Sequence, residues 1–132
     1  MTISPPPGAP GQLRQLIHYH LDNGFYDNAL FMAGRLHALE PKNQDAIYLL
    51  ALCNFRLTRY KTAYDYTEPK STVQMSLGSV YVFAQACLVL ERYEAGASAL
   101  EKARVHWVQR NHWGEFSLAL IFAKDVLLTL HP

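Results

Sequence analysis

The sequence predicts an all-α array of helical hairpins, and three observations carry that expectation. Four of the seven prolines, Pro5, Pro6, Pro7 and Pro10, lie within the first ten residues, and only Pro41, Pro69 and Pro132 follow. The span from Gly11 to Val108 is rich in Ala, Leu, Tyr, Arg and Gln and poor in the clusters that bound strands, which favours helix. Next, Tyr26, Tyr60 and Tyr93 recur 34 and 33 residues apart. Around each, the same side chains return. Three residues later stand Ala29, Ala63 and Gly96, all small; ten residues earlier stand Leu16, Leu50 and Phe83, all large and apolar.

A period of 34 with this pattern is the signature of tetratricopeptide (TPR) repeats. In such a hairpin a first helix A buries apolar residues at helical spacing. A tyrosine plugs the junction, and a small residue on helix B lets the two backbones approach. A proline then ends helix B, as Pro41 does fifteen residues after Tyr26. About three repeats are expected, near 10–43, 44–76 and 77–110, forming an α-solenoid segment.

The elements follow in order. Residues 1–11 read as a flexible, Pro-rich leader. Helix 1A is expected over Gln12–Asn23, stopped by Asp22-Asn23-Gly24 with Gly24 suited to a left-handed cap. Helix 1B runs over Asp27–Leu39 and stops before Pro41. Helix 2A covers Asn43–Leu57, with Asn43 as N-cap. Helix 2B starts near Lys61 and is cut short before Pro69, leaving Glu68–Thr72 as a loop. Helix 3A is expected over Val73–Leu90 and helix 3B over Glu94–Val108. The apolar tail, Glu115–Leu130 within 114–132, packs as a seventh, capping helix or stands as a sticky surface.

Composition bounds the function classes. A chain of 132 residues that is 50% apolar can bury a core. Twelve Lys and Arg against eleven Asp and Glu give a net charge of +1, without the basic footprint of a nucleic-acid binder. Two cysteines, Cys53 and Cys87, make no disulfide framework and point to a reducing compartment. No positive n-region and apolar h-region open the chain, and the apolar stretch Phe116–Leu130 carries Lys124 and Asp125 and is shorter than the roughly 20 residues of a span.

No chemistry-bearing constellation stands out. His18 and His20 point in different directions on a helix, and His106 and His112 lack zinc spacing. Cys53 and Cys87 sit among Leu, Ala and Phe and read as small core residues. Isolated glycines form no phosphate loop. Asp65 with Glu68, and Glu91 with Glu94, read as solvated helix faces rather than acid/base pairs. Arg56, Arg59 and Lys61 lack a stacking platform for single-stranded nucleic acid. The expectation is a protein without enzymatic activity, cofactor or metal.

The groove lined by the A helices is the candidate site. Its expected lining is Arg14 and His18 in the first repeat, Tyr48, Leu49, Leu52 and Arg56 in the second, and Gly78, Tyr81, Val82, Gln85 and Val89 in the third. So apolar a lining fits packing between hairpins or a partner's helix or apolar segment. Leu49 and Val82 are read as occupying places where a carboxylate-clamp groove would carry polar groups.

Longer strings then become recognisable: Leu13-Arg14-Gln15-Leu16-Ile17-His18-Tyr19-His20-Leu21-Asp22-Asn23, Asn28-Ala29-Leu30-Phe31-Met32-Ala33-Gly34-Arg35-Leu36-His37-Ala38, Tyr48-Leu49-Leu50-Ala51-Leu52-Cys53, Tyr81-Val82-Phe83-Ala84-Gln85-Ala86-Cys87-Leu88 and Arg110-Asn111-His112-Trp113. From Gln12 to Trp113 the chain resembles the N-terminal TPR region of the third subunit of the anaphase-promoting complex (cyclosome), in its fungal BimA-type family. The resemblance implies a scaffold of a multisubunit ubiquitin ligase acting in mitosis and the cell cycle, found in nucleus and cytoplasm. It implies a homodimer, in which first repeats dock into the partner's groove, and contacts with other cyclosome subunits, but none with nucleic acid or membrane. On this reading Leu13, Leu16, Ile17 and Tyr19 form the inserted or buried surface, and Tyr48, Leu52, Tyr81, Val82, Gln85 and Val89 the receiving groove. Residues 114–132 do not resemble the family, and the repeats that bind coactivator tails are absent. A truncated product, an alternatively spliced one and a gene-model artefact all fit that pattern. A free-standing TPR adaptor for another protein's helix or tail is the alternative reading.

Overall fold

The computed structural model describes residues 9–69 and 76–109. Among these, the chain forms six helices and no strand: α1 (Ala9–Asp22), α2 (Tyr26–Leu39), α3 (Gln44–Arg56), α4 (Tyr60–Thr67), α5 (Leu77–Val89) and α6 (Tyr93–Gln109). They pair as three hairpins, α1 with α2, α3 with α4 and α5 with α6. Each following A helix packs on the hairpin before it: α3 on α2, and α5 on both α3 and α4.

All three hairpin turns are the same turn. Gly24, Thr58 and Glu91 adopt left-handed backbone, with φ of 76°, 63° and 59°. The next amide donates five residues back, Phe25 to His20, Arg59 to Asn54 and Arg92 to Cys87. The left-handed residue's own amide donates three back, to Leu21, Phe55 and Leu88. This paired closure satisfies carbonyls that a helix end would otherwise leave open. Glycine is at ease there; the β-branched Thr58 holds the same backbone at a steric cost.

The tyrosines of the repeat open each B helix and are half-buried. The small residues behind them, Ala29, Ala63 and Gly96, are buried against the A helices. Asn43 caps α3 as expected, its side chain accepting from the Asp45 and Ala46 amides at 2.9 and 3.1 Å. Ser76 does the same for α5, accepting from the Ser79 amide at 3.2 Å.

Some boundaries move. α1 begins at Ala9, so residues 9–11 belong to a helix and not to the leader. Pro10 falls in the first turn, where its missing N–H costs nothing and its fixed φ suits the helix. α5 starts at Leu77, four residues after the expected Val73, because Ser76 sets the cap. α4 is eight residues long, against 14 for α2 and 17 for α6, in keeping with the stop at Pro69. The rest of the leader, residues 70–75 and the tail at 114–132 lie outside the described residues.

The core runs between hairpins as much as within them. Ile17, Ala29, Ala33 and Leu36 of the first hairpin close on Ala46, Leu49, Leu50 and Cys53 of α3. Burying each large apolar side chain there contributes about 1.5–3 kcal/mol. Between the second and third hairpins, Val82 packs with Ala51 and Ala63, and Tyr64 meets Phe83 with ring centroids 4.9 Å apart.

Candidate protein-interaction surfaces

The turns give a common register, so equivalent positions in the three A helices can be compared directly. Leu50 and Cys53 in α3, and Phe83 and Ala86 in α5, all point into the hairpin before them and are buried. The same two positions in α1 are Leu16 and Tyr19. They stand 43% and 56% exposed, because no hairpin precedes them among the described residues. The outer face of α1, with Gln12 and Gln15 beside them, is thus open among the described residues. Leu13 and Ile17, four residues apart on the face turned to the first core, are half-buried and fully buried there. Ile17 therefore holds the fold and presents nothing to a partner.

The groove differs from expectation at two positions. Leu49 is fully buried and Val82 is 2% exposed. Successive helical residues are turned by about 100°. That step takes these two from the groove, where Tyr48 and Tyr81 lie, into the seam with the preceding hairpin. The contrast with a carboxylate clamp cannot rest on them. The groove face proper carries Tyr48, Leu52 and Arg56 from α3, and Tyr81, Gln85 and Val89 from α5. Tyr48, Leu52 and Gln85 are half-buried; Arg56, Tyr81 and Val89 are exposed.

Two of the expected groove residues turn out to be stitches between A helices. Arg14 Nε donates to Asp45 Oδ2 at 3.0 Å, and its Nη2 reaches Glu40 Oε2. Its hydrogen bonds to Asp45 and then Glu40 push the guanidinium pKa up, against a smaller opposing cost of burial. In the next repeat Tyr48 takes the place of Arg14 and Gly78 that of Asp45. A Cβ on Gly78 would lie 2.7 Å from the Tyr48 ring, so glycine lets that ring approach α5 this closely. Burial in this seat, followed by the nearby Asp45 charge, pushes the Tyr48 phenol pKa up.

Several other titratable groups pack within the fold. Burial pushes the Cys53 thiol up to about 11 and the Cys87 thiol up to about 12; nearby Arg92 pulls the latter back only in part. Buried and held protonated, neither thiol has the exposed, lowered-pKa setting that activates a nucleophile. Arg92 from the last turn and Lys61 from α4 lie over the Tyr64 ring at 4.5 and 5.0 Å, and Lys61 also holds Asp65 at 2.7 Å. His20 packs edge-on between Tyr19 and Phe25, and His37 packs edge-on against Tyr66. Among the described residues no group of three or more His, Cys, Asp or Glu could hold a metal ion. No described helix is long and apolar enough to cross a membrane.

One exposed feature escaped sequence reasoning. Phe31 of α2 is 65% exposed, with the Arg35 guanidinium 5.9 Å from its ring centre. The register held a signal: the equivalent residues of α4 and α6 are Asp65 and Ser98, so an aromatic there is out of pattern.

Comparison with known proteins matches this architecture to one family. Residues 22–103 match the family described as anaphase-promoting complex, cyclosome, subunit 3. Protein bimA of Emericella nidulans is 50% identical over 106 residues, which cover 80% of this chain and 13% of that protein. Anaphase-promoting complex subunit 3 of Schizosaccharomyces pombe is 40% identical over 96 residues, covering 73% of this chain and 14% of that protein. The chain thus spans about a seventh of the length of these relatives.

Proposed function

The chain belongs to the anaphase-promoting complex, cyclosome, subunit 3 family, and we propose on that premise that it is a TPR scaffold segment. It acts by binding protein and not by catalysis. Its partners are a second copy of itself and other subunits of the complex, and its place is the nucleus and cytoplasm, where the complex drives mitotic progression.

The observation that supports self-association is the outer face of α1. Leu16 and Tyr19 are open at positions that both later repeats cover. Burying two such side chains at an interface recovers a few kcal/mol, enough to matter but short of a tight complex by itself. The apolar groove of Tyr48, Leu52, Tyr81 and Val89 offers a second surface of matching character for a partner's helix.

Capture with defined partners tests the reading. A tagged chain is incubated with an untagged copy and, separately, with purified subunits of the complex. Retention of both, lost in a Leu16→Glu, Tyr19→Glu variant of unchanged circular dichroism, supports it. Retention of neither refutes it.

A further inference from the structure

We propose that α2 carries a second docking surface, separate from the α1 face: its exposed row Asp27, Phe31 and Arg35 pairs about a two-fold axis with the same row of a second copy of this chain. The three residues stand four apart, so one side of the helix holds them in line. All three are exposed, Phe31 at 65%. The equivalents of Phe31 in α4 and α6 are Asp65 and Ser98, so the hairpin itself does not call for an aromatic there.

The charges say what the row fits. In α4 Lys61 holds Asp65 one turn on at 2.7 Å, and in α6 Arg104 holds Glu101. In α2 the acid and the base stand eight residues apart, about 12 Å along the axis, with the Phe31 ring between them. They are too far apart to pair with each other, and neither has an ion-pair partner among the described residues. Turning the row by 180° reverses its order. Arg35 of the second copy then falls opposite Asp27, Asp27 of the second copy falls opposite Arg35, and ring meets ring.

A self-complementary patch of this kind is what a two-fold interface requires. Rows of residues four apart also lie alongside one another in the commonest class of helix packing. Room for the second ring is present at Gly34, three residues after Phe31, where even an added Cβ would meet nothing within 4 Å. Three side chains cover far less than the roughly 800 Å² per partner of a standard interface, so the contact is weak alone. Together with a contact through α1 it joins copies into species larger than a dimer.

Sedimentation velocity on the full chain at about 1 mM tests the proposal, with Leu16→Glu and Tyr19→Glu in place so that the α1 face does not contribute. A dimer is expected. Adding Asp27→Arg or Arg35→Asp singly sets like charges opposite each other and should weaken it at least about tenfold. Mixing the two variants in equal parts restores it, since each supplies the charge the other has lost. With α1 unsubstituted, Phe31→Glu should remove one step of association at the same concentration, a readout that does not depend on the folding of the α1 variant. The α1 contact is read apart from this one, at far lower concentration. A folded α1 variant that stays monomeric, or a mixture that associates no better than either variant alone, overturns the proposal. So does capture of a purified cyclosome subunit that Phe31→Glu abolishes while the chain stays monomeric, since the occupant is then another protein.

Discussion

The junction between the first and second hairpins and that between the second and third use one positional rule with two chemistries. In each, a residue one turn into an A helix reaches the start of the next A helix. In the first pair it is Arg14 to Asp45, a charged hydrogen bond near the surface. In the second it is Tyr48 against Gly78, an aromatic ring close to a residue without a side chain. The cores beneath differ accordingly. The first junction has a broad aliphatic cluster from two 14-residue helices and α3. The second packs α5 on α3 and on an α4 of only eight residues, and it concentrates its contacts in Tyr64–Phe83 and Val82. A shortened helix is offset by larger, flatter side chains, so the second junction is the more sensitive to single changes.

Substitutions should rank by that difference. Phe83→Ala empties the centre of the second junction and should cost about 3–5 kcal/mol in denaturant unfolding, the largest effect. Gly78→Val drives a branched side chain into the Tyr48 ring and should cost about 1–3 kcal/mol. Adding Tyr48→Ala to that variant should recover part of the loss. If the double variant is no better than Gly78→Val, the ring is not what the glycine accommodates.

The two cysteines report on the two junctions separately, Cys53 on the first and Cys87 on the second. Both thiols stay protonated in the fold up to about 11 and about 12, against an ordinary 9.0. Below pH 9 neither state ionises them and they leave stability unchanged. Above it the unfolded thiols ionise first, so stability should fall as pH rises towards 11. The slope approaches about 1.4 kcal/mol per pH unit for each thiol, and a Cys53→Ala, Cys87→Ala variant should lose that part of the slope. At neutral pH, alkylation should reach Cys87 before Cys53, because the second junction opens more easily. Equal rates would remove the asymmetry. The smallest effect is Arg14→Ala: its partners are partly exposed, so the loss should stay below about 1 kcal/mol and shrink with added salt.

Much of this was legible in the residues themselves. The tyrosine period, the small residue behind it and the Asn43 cap define the hairpins and the start of α3. The early stop of α4 was readable from Pro69. What escaped depends on distance or on one step of helical phase. Pro10 sits inside α1 because a first turn tolerates proline. Arg14 finds its acceptors 26 and 31 residues away, beyond any local pattern. Leu49 and Val82 were one residue from the groove, and one residue is enough to bury them. Gly78 lined the expected groove and is instead the seat of a ring.

The central claim is that this TPR segment associates with itself through the open face of α1. Sedimentation equilibrium of the full chain against Leu16→Glu, Tyr19→Glu tests it most directly. The account predicts a concentration-dependent dimer at tens of micromolar that the double substitution returns to monomer without loss of helicity. A monomer throughout that range, or a dimer that ignores the substitution, would contradict it.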